Sequence, residues 1–395
     1  MMATYEYGIT DFQYIAAGAA ILASGGGGSY NDAVQVITEL ADSGWSNTVL
    51  VKDYDGVSNC SVLALMGSPD AADTLTLADV VYSITNTITA YQAMTGFTLG
   101  CVIPVEIGPI NSIVPLIAAA ISNNALWVVN GDGAGRAVPE LPQTTYSGSA
   151  TLAVSPCILA NDAKIAATLE SALLNSTTAA QAESLAGGIV SAFGNFSGIT
   201  LWPSNATNNY ALTGNYISGT LTQAWALGEF LLNSPTPPAT NAVTTQITQI
   251  TERAATAIAT NFYITSITQS TTTGSLDTGI IRLDNTPNPN NSTATYTIYN
   301  LNENLIMYSS LSNTPSIIAP DSICYYSEST GLGFSNATDD LAIYFDTNTG
   351  QSTGKTVSII KIDAASQLYD AAGVITSFAT LLHNLGYAGA MPYPA

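Results

Sequence analysis

Four charged residues follow two short apolar runs closely enough to share one site. Glu106 stands just past Cys101–Val105, and Asp132, Arg136 and Glu140 come just past Leu126–Asn130. A carboxylate held beside a bound water can act as a general base. An Arg fork between carboxylates could hold the carbonyls of a small polar ring. The same residues also fit a structural salt bridge that pins the Gly131–Gly135 turn, a pair costly to break once buried. Asn302-Glu303-Asn304, at a predicted strand start, carries the same two readings. The run Gly25-Gly26-Gly27-Gly28 ends one predicted helix and precedes another. It could offer backbone N–H groups to an anion, or form a tight helix–helix corner where only Gly fits. It matches neither GxxxxGK[ST] nor a strand-linked GxGxxG.

No metal site and no cofactor are expected. His383 is the sole His, and Cys60, Cys101, Cys157 and Cys324 lie far apart with no CxxC spacing. Cys101 reads as a small core residue, and spacing does not decide whether any pair is bridged. His383, on the last predicted helix, reads as a helix C-terminal partner.

The elements that must position these residues read as α/β. Cys101–Val105 and Leu126–Asn130 are continuous apolar runs, the pattern of parallel strands covered on both faces. A helix over about 110–122 between them makes a right-handed crossover, and ligands of such sheets sit beyond the carboxyl ends of the strands. Helices are also predicted over 10–23, 29–43, 78–94, 162–174, 179–193, 220–232, 243–259 and 364–385, and strands over 49–53, 61–66 and 144–154. From Asn261 to Ile362 the pattern turns to β, with strand-like runs at 262–270, 279–284, 294–299, 304–310, 322–326 and 357–362. The expectation is an N-terminal α/β domain with a mostly parallel sheet (1–173), a C-terminal β-rich α+β domain with a helical insertion (174–362), and a C-terminal helix and tail packed back on the body (363–395).

Charge is the anomaly of this 395-residue chain. Charged residues make up 9%, with 28 acids against seven Lys and Arg and a net charge of −21, where a soluble domain carries roughly 25% charged residues. So few cations disfavour nucleic acid as a partner. No run of 18 apolar residues predicts a membrane span, and no signal peptide is evident. Thr, Ser, Asn and Tyr take the place of charge. Such a surface suits strong acid, where few basic groups repel one another, or burial against copies of itself, since interface cores are depleted in charge. The leading expectation is a self-assembling structural protein, a filament or sheet subunit at the cell exterior or surface. Sequons at Asn59, Asn175, Asn195, Asn205, Asn290, Asn291 and Asn336 are candidate glycosylation sites in that setting. The alternative is a hydrolase with a surface adapted to acid.

The motifs together resemble the S-methyl-thiohydantoin desulfurase-like family. Gly18–Tyr30, Val105–Ala119, Gly131–Leu141, Ser155–Asp162, Asn302–Asn304, Ala319–Cys324 and Gly386–Tyr393 carry the likeness in the family's order, over nearly the whole chain. The resemblance implies an N-terminal α/β domain, a C-terminal domain rich in β-structure, and a cleft lined by Glu106, Asn111, Asp132, Arg136 and Glu140. It also implies hydrolytic removal of a sulfur substituent from a thiohydantoin-like ring. This chain departs from the family pattern at Pro109, where a second Gly is usual, and at Asn130, where Asp is common.

Overall fold

The computed structural model describes residues 3–67, 75–123, 125–272 and 276–394. The first part of the chain folds as β1 (Thr4–Tyr7), α1 (Ile9–Leu22), α2 (Tyr30–Asp42), β2 (Val49–Lys52), β3 (Cys60–Gly67), α3 (Leu77–Thr95), β4 (Cys101–Pro104), α4 (Pro109–Ile121) and β5 (Trp127–Val129). Next come β6 (Cys157–Ala160), β7 (Ser171–Leu174), α5 (Ala179–Ala192), β8 (Phe196–Ser204), α6 (Thr220–Leu232) and α7 (Thr240–Thr251). One eight-stranded sheet runs β1-β2-β5-β4-β3-β8-β6-β7. Its centre, β2-β5-β4-β3, is parallel, and its flanking pairs are antiparallel. The sheet is therefore mixed, and β8 enters it from beyond residue 173.

Alternation along the strands sorts side chains onto two cores. Leu63, Val102 and Val128 face α1–α4. Val62, Ile103 and Val129 face the other way, against Ala182, Ala186 and Val190 of α5. Helix α1 is apolar nearly all round because it is covered on all sides: it packs on α4 and α6, and Tyr326 and Ile360 of the second sheet share its core. Its contact with α6 needs small residues. A Cβ on Gly18 would fall 1.9 Å from the Ala224 carbonyl oxygen, and one on Gly228 1.7 Å from that of Tyr14.

The second domain is a curled antiparallel sheet built from β9 (Ala255–Thr272), β10 (Leu276–Asp284), β11 (Thr295–Leu301), β12 (Glu303–Ser309), β13 (Pro315–Ile318), β14 (Ser322–Tyr326) and β15 (Val357–Ile362). Its order is β13-β12-β11-β10-β9-β15-β14. Helix α8 (Val374–Asn384) packs back on it through Val374, Phe378 and Leu382.

Several local expectations are corrected. Residues 144–154 form turns, because Thr144, Ser147 and Ser149 bond to nearby backbone rather than leaving it for a ladder. The predicted helix over 162–174 is instead the connection into β7, which pairs with β6. Helix α7 stops at Glu252 in the left-handed region, so the strand begins earlier than predicted. Gly373, at φ +78°, marks the start of α8, so 364–385 is not one helix. Strands β1, β6, β8 and β13 fall outside the runs predicted as strands.

Candidate functional site

A cavity of about 150 Å³ opens where the carboxyl ends of β3 and β4 meet the second domain. It is lined by Gly27, Gly28, Ser29, Leu65, Met66, Glu106, Asn111, Val138, Glu140, Glu183, Asn302 and Glu303, among others. A cavity of this size holds one benzene-sized ring. Of the residues singled out from sequence, Glu106, Asn111, Glu140, Gly27, Gly28, Asn302 and Glu303 line it. Gly25, Gly26, Asp132 and Arg136 do not.

Glu106 is 5% exposed. Its two carboxylate oxygens are held separately: Oε2 accepts from the Val138 N–H at 2.7 Å and Oε1 from Asn111 Nδ2 at 2.9 Å. Asn111 is itself oriented, since its Oδ1 accepts from the Leu65 N–H. Burial pushes the Glu106 pKa up to about 7, against the pull of those two bonds, and nearby Asp132 adds to the rise.

Glu303 enters from the other domain at the start of β12, where the left-handed Asn302 (φ 54°) turns the chain. Its Oε1 accepts from the Gly27 N–H at 3.3 Å, and a Cβ on Gly26 would fall 1.8 Å from that oxygen. Burial, and then the neighbouring Glu106, raise the Glu303 pKa well above the carboxylate range.

The sequence reading missed Glu183. It sits on α5 with the apolar positions Ala182 and Ala186 beside it, and its Oε2 accepts from the Leu141 N–H at 2.9 Å. Burial raises its pKa to about 7, and Glu140, the residue before Leu141, adds to the shift. An acid interrupting an apolar helix stripe was the available signal.

The glycine run is a corner. Gly27 and Gly108 touch so closely that a Cβ on either would fall within 2.4 Å of the other's Cα. The nearby N–H groups are taken by the protein's own acids: Glu303 receives Gly27, and Asp340 receives Tyr30 and Asn31 at the start of α2.

Arg136 forms no fork between carboxylates and no salt bridge among the described residues. It is fully buried, and its donors go to four backbone carbonyls. Nε donates to Ala137 at 2.7 Å, Nη1 to Pro320 at 3.0 Å and Asp321 at 2.9 Å, and Nη2 to Asn304 at 3.1 Å. Three of those carbonyls belong to the second domain, so Arg136 clamps the two domains together directly behind Glu303. The Gly131–Gly135 turn is closed by Asp132 instead, whose carboxylate accepts from the Ala134 and Gly135 N–H groups. Both departures from the family pattern fit this frame. Pro109 opens α4, a position that needs no N–H. The Asn130 amide brackets Thr222 at the start of α6.

Other assignments from sequence fall away from the cavity. His383 is exposed in the last turn of α8. All four Cys are buried and free. Asn205 and Asn336 are buried, and Asn336 donates to the Asn302 carbonyl, so neither can carry a glycan in the folded chain. Asn175, Asn195, Asn290 and Asn291 are exposed, whereas Asn59 is partly covered and bonded to the Thr98 carbonyl. Among the described residues no three His, Cys, Asp or Glu are grouped to hold a metal ion, and no helix is long and apolar enough to cross a membrane.

The buried acids set a pH dependence. Glu106, Glu183 and Asp132 (raised to about 6, chiefly by burial) bind their protons more tightly folded than unfolded. Unfolded Asp and Glu titrate near 4, so stability falls as pH rises from about 4 through 7. Asp284 works oppositely. Bonds from Arg282, Thr265 and Thr295 outweigh burial and hold it at about 2, so its contribution is lost only in strong acid. We expect unfolding free energy to be greatest in mild acid and lower at pH 8 by on the order of 1–3 kcal/mol. Calorimetry at pH 4.5 and 8 checks this; greater stability at pH 8 would contradict it.

Models of the S-Me-THD-like N-terminal domain and C-terminal domain match residues 10–171 and 177–376. The crystal structure of a protein from Chromobacterium violaceum superposes with a TM-score of 0.80 at 24% identity, over 99% of each chain. At that identity the likeness shows a shared fold. No curated protein matches this chain.

Proposed function

The chain belongs to the S-methyl-thiohydantoin desulfurase-like family, and from that premise we propose that the cavity between its domains is the active site of a hydrolase. Its substrate is a small, uncharged, thiohydantoin- or hydantoin-like ring. The observation that carries this reading is Glu106, a buried cavity carboxyl with a pKa near 7, oriented by one backbone and one amide donor. A base poised near the working pH is half ionised there and can take a proton from water without being too weak to do so. The acid-lined wall favours a ring that presents N–H groups and disfavours anionic ligands. Water adds to the sulfur-bearing ring carbon as Glu106 takes its proton, and the thiol departs. The test is thiol release from an S-methyl-thiohydantoin. Release at neutral pH supports the reading, and a folded protein that leaves the compound intact across pH opposes it.

A second reading, self-association, rests on a different surface. Leu173 lies exposed on β7, the outer edge strand of the first sheet, with Ile165 and Leu169 exposed on the approach to it. An edge strand that carries exposed apolar side chains is a template for pairing with another copy. Assembly at the cell exterior, with glycans on Asn175, Asn195, Asn290 or Asn291, belongs to this reading. It predicts polymers or large particles in negative-stain images of native material, reduced by Leu173→Lys. A monomer at all concentrations would end it.

A further inference from the structure

Glu303 has one oxygen accounted for and one not. Oε1 is bonded to the Gly27 N–H, whereas Oε2 is buried and has no hydrogen-bond partner among the described residues. The side chain is 3% exposed and lines the cavity. An unpartnered buried carboxyl oxygen costs free energy unless a water or a ligand group completes it. The close fit of Gly26 against this side chain, with the bond from the Gly27 N–H, leaves it little room to turn away.

Resting on the hydrolase reading, we propose that Glu303 is the proton donor of the site, delivering a proton from Oε2 to the ring nitrogen beside the carbon that bears sulfur. The cycle then balances without any further reagent. Glu303 protonates the nitrogen of the C=N bond, which makes the carbon electrophilic. Water attacks that carbon while Glu106 takes one of its protons. The tetrahedral carbon re-forms a carbonyl as the C–S bond breaks; Glu106 returns its proton to the departing thiolate, and the hydroxyl proton passes to Glu303. One water is consumed, one C–O bond replaces one C–S bond, the ring keeps an N–H, the thiol leaves neutral, and both carboxyls are reset. No oxidation state changes. The charged groups facing Glu303 are Glu106 and, from behind, Arg136, so the pair can share one proton while the guanidinium offsets one negative charge.

The test is Glu303→Gln, which keeps size and polarity but cannot give up a proton. The expected result is a fall in kcat of roughly 10²–10⁴-fold with KM within a few-fold, and loss of the descending alkaline limb of the pH–rate profile. Turnover within a few-fold of the parent with that limb intact would overturn the assignment. Failure of the hydrolase reading looks different: the parent itself is inert. In either case an infrared carboxylic-acid C=O band at pH 7 that vanishes in Glu303→Gln supports a protonated Glu303, and its absence from the parent overturns the donor role.

Discussion

Glu106→Gln should lower turnover of an S-methyl-thiohydantoin by roughly 10²–10⁴-fold while leaving the protein folded. Gln matches the volume of Glu and can still accept from the Val138 N–H, the shorter of the two bonds that hold the carboxylate. Its new N–H₂ group faces Asn111 Nδ2. Repairing that clash means turning the Asn111 amide, which gives up its bond from the Leu65 N–H and costs about 1 kcal/mol. The loss of activity would thus exceed the loss of stability by a wide margin. The variant should also lose the rise in rate through about pH 7 that ionisation of Glu106 produces in the parent. Steady-state kinetics across pH, with thermal unfolding on the same samples, separates the two effects. A variant that keeps both rate and pH profile would remove Glu106 from the reaction.

Arg136→Met should destabilise the chain by about 3–5 kcal/mol, a cost typical of breaking a buried hydrogen-bond network. Met fills much of the space and keeps contact with Phe378, over whose ring the guanidinium lies at 5.6 Å. It leaves the carbonyls of Ala137, Asn304, Pro320 and Asp321 without their donor. Each buried acceptor so abandoned costs about 1–3 kcal/mol before relaxation. Arg136→Lys keeps the charge but offers a point rather than a fork, and should recover only part of the loss. Urea unfolding reads both variants. An unchanged midpoint in Arg136→Met would show that the clamp between the domains contributes nothing. The clamp also affects the site, because burial lowers the Arg136 pKa to about 10 yet leaves it a cation at neutral pH beside Glu303 and Glu106.

What was legible in the sequence followed from local rules. Cys101–Pro104 and Trp127–Val129 show as unbroken apolar runs because both faces of the parallel strands are covered. Glu106 was visible as the first charge beyond one of them. Glu303 could be named, but the register that brings it to Gly27, 276 positions away, leaves no mark in either segment. Arg136 was misjudged for the same reason. Asp132 and Glu140 are its neighbours in sequence, yet three of its partners are carbonyls far along the chain, and carbonyls carry no residue-type signal. Glu183 was passed over because a helix with one acid on its inner face has the composition of an ordinary amphipathic helix. Strand β8 escaped because Gly198 and Pro203 interrupt its apolar run, and only its place between β3 and β6 makes it a strand.

In the proposed reaction water, activated in this cavity, replaces the sulfur substituent of a ring. Turnover of an S-methyl-thiohydantoin in ¹⁸O-labelled water, with mass analysis of the ring product and of the volatile thiol, follows that oxygen. One labelled oxygen is expected at the former sulfur-bearing carbon for each thiol released. Thiol release without label in the ring, or an unchanged substrate in the presence of folded protein, would contradict it.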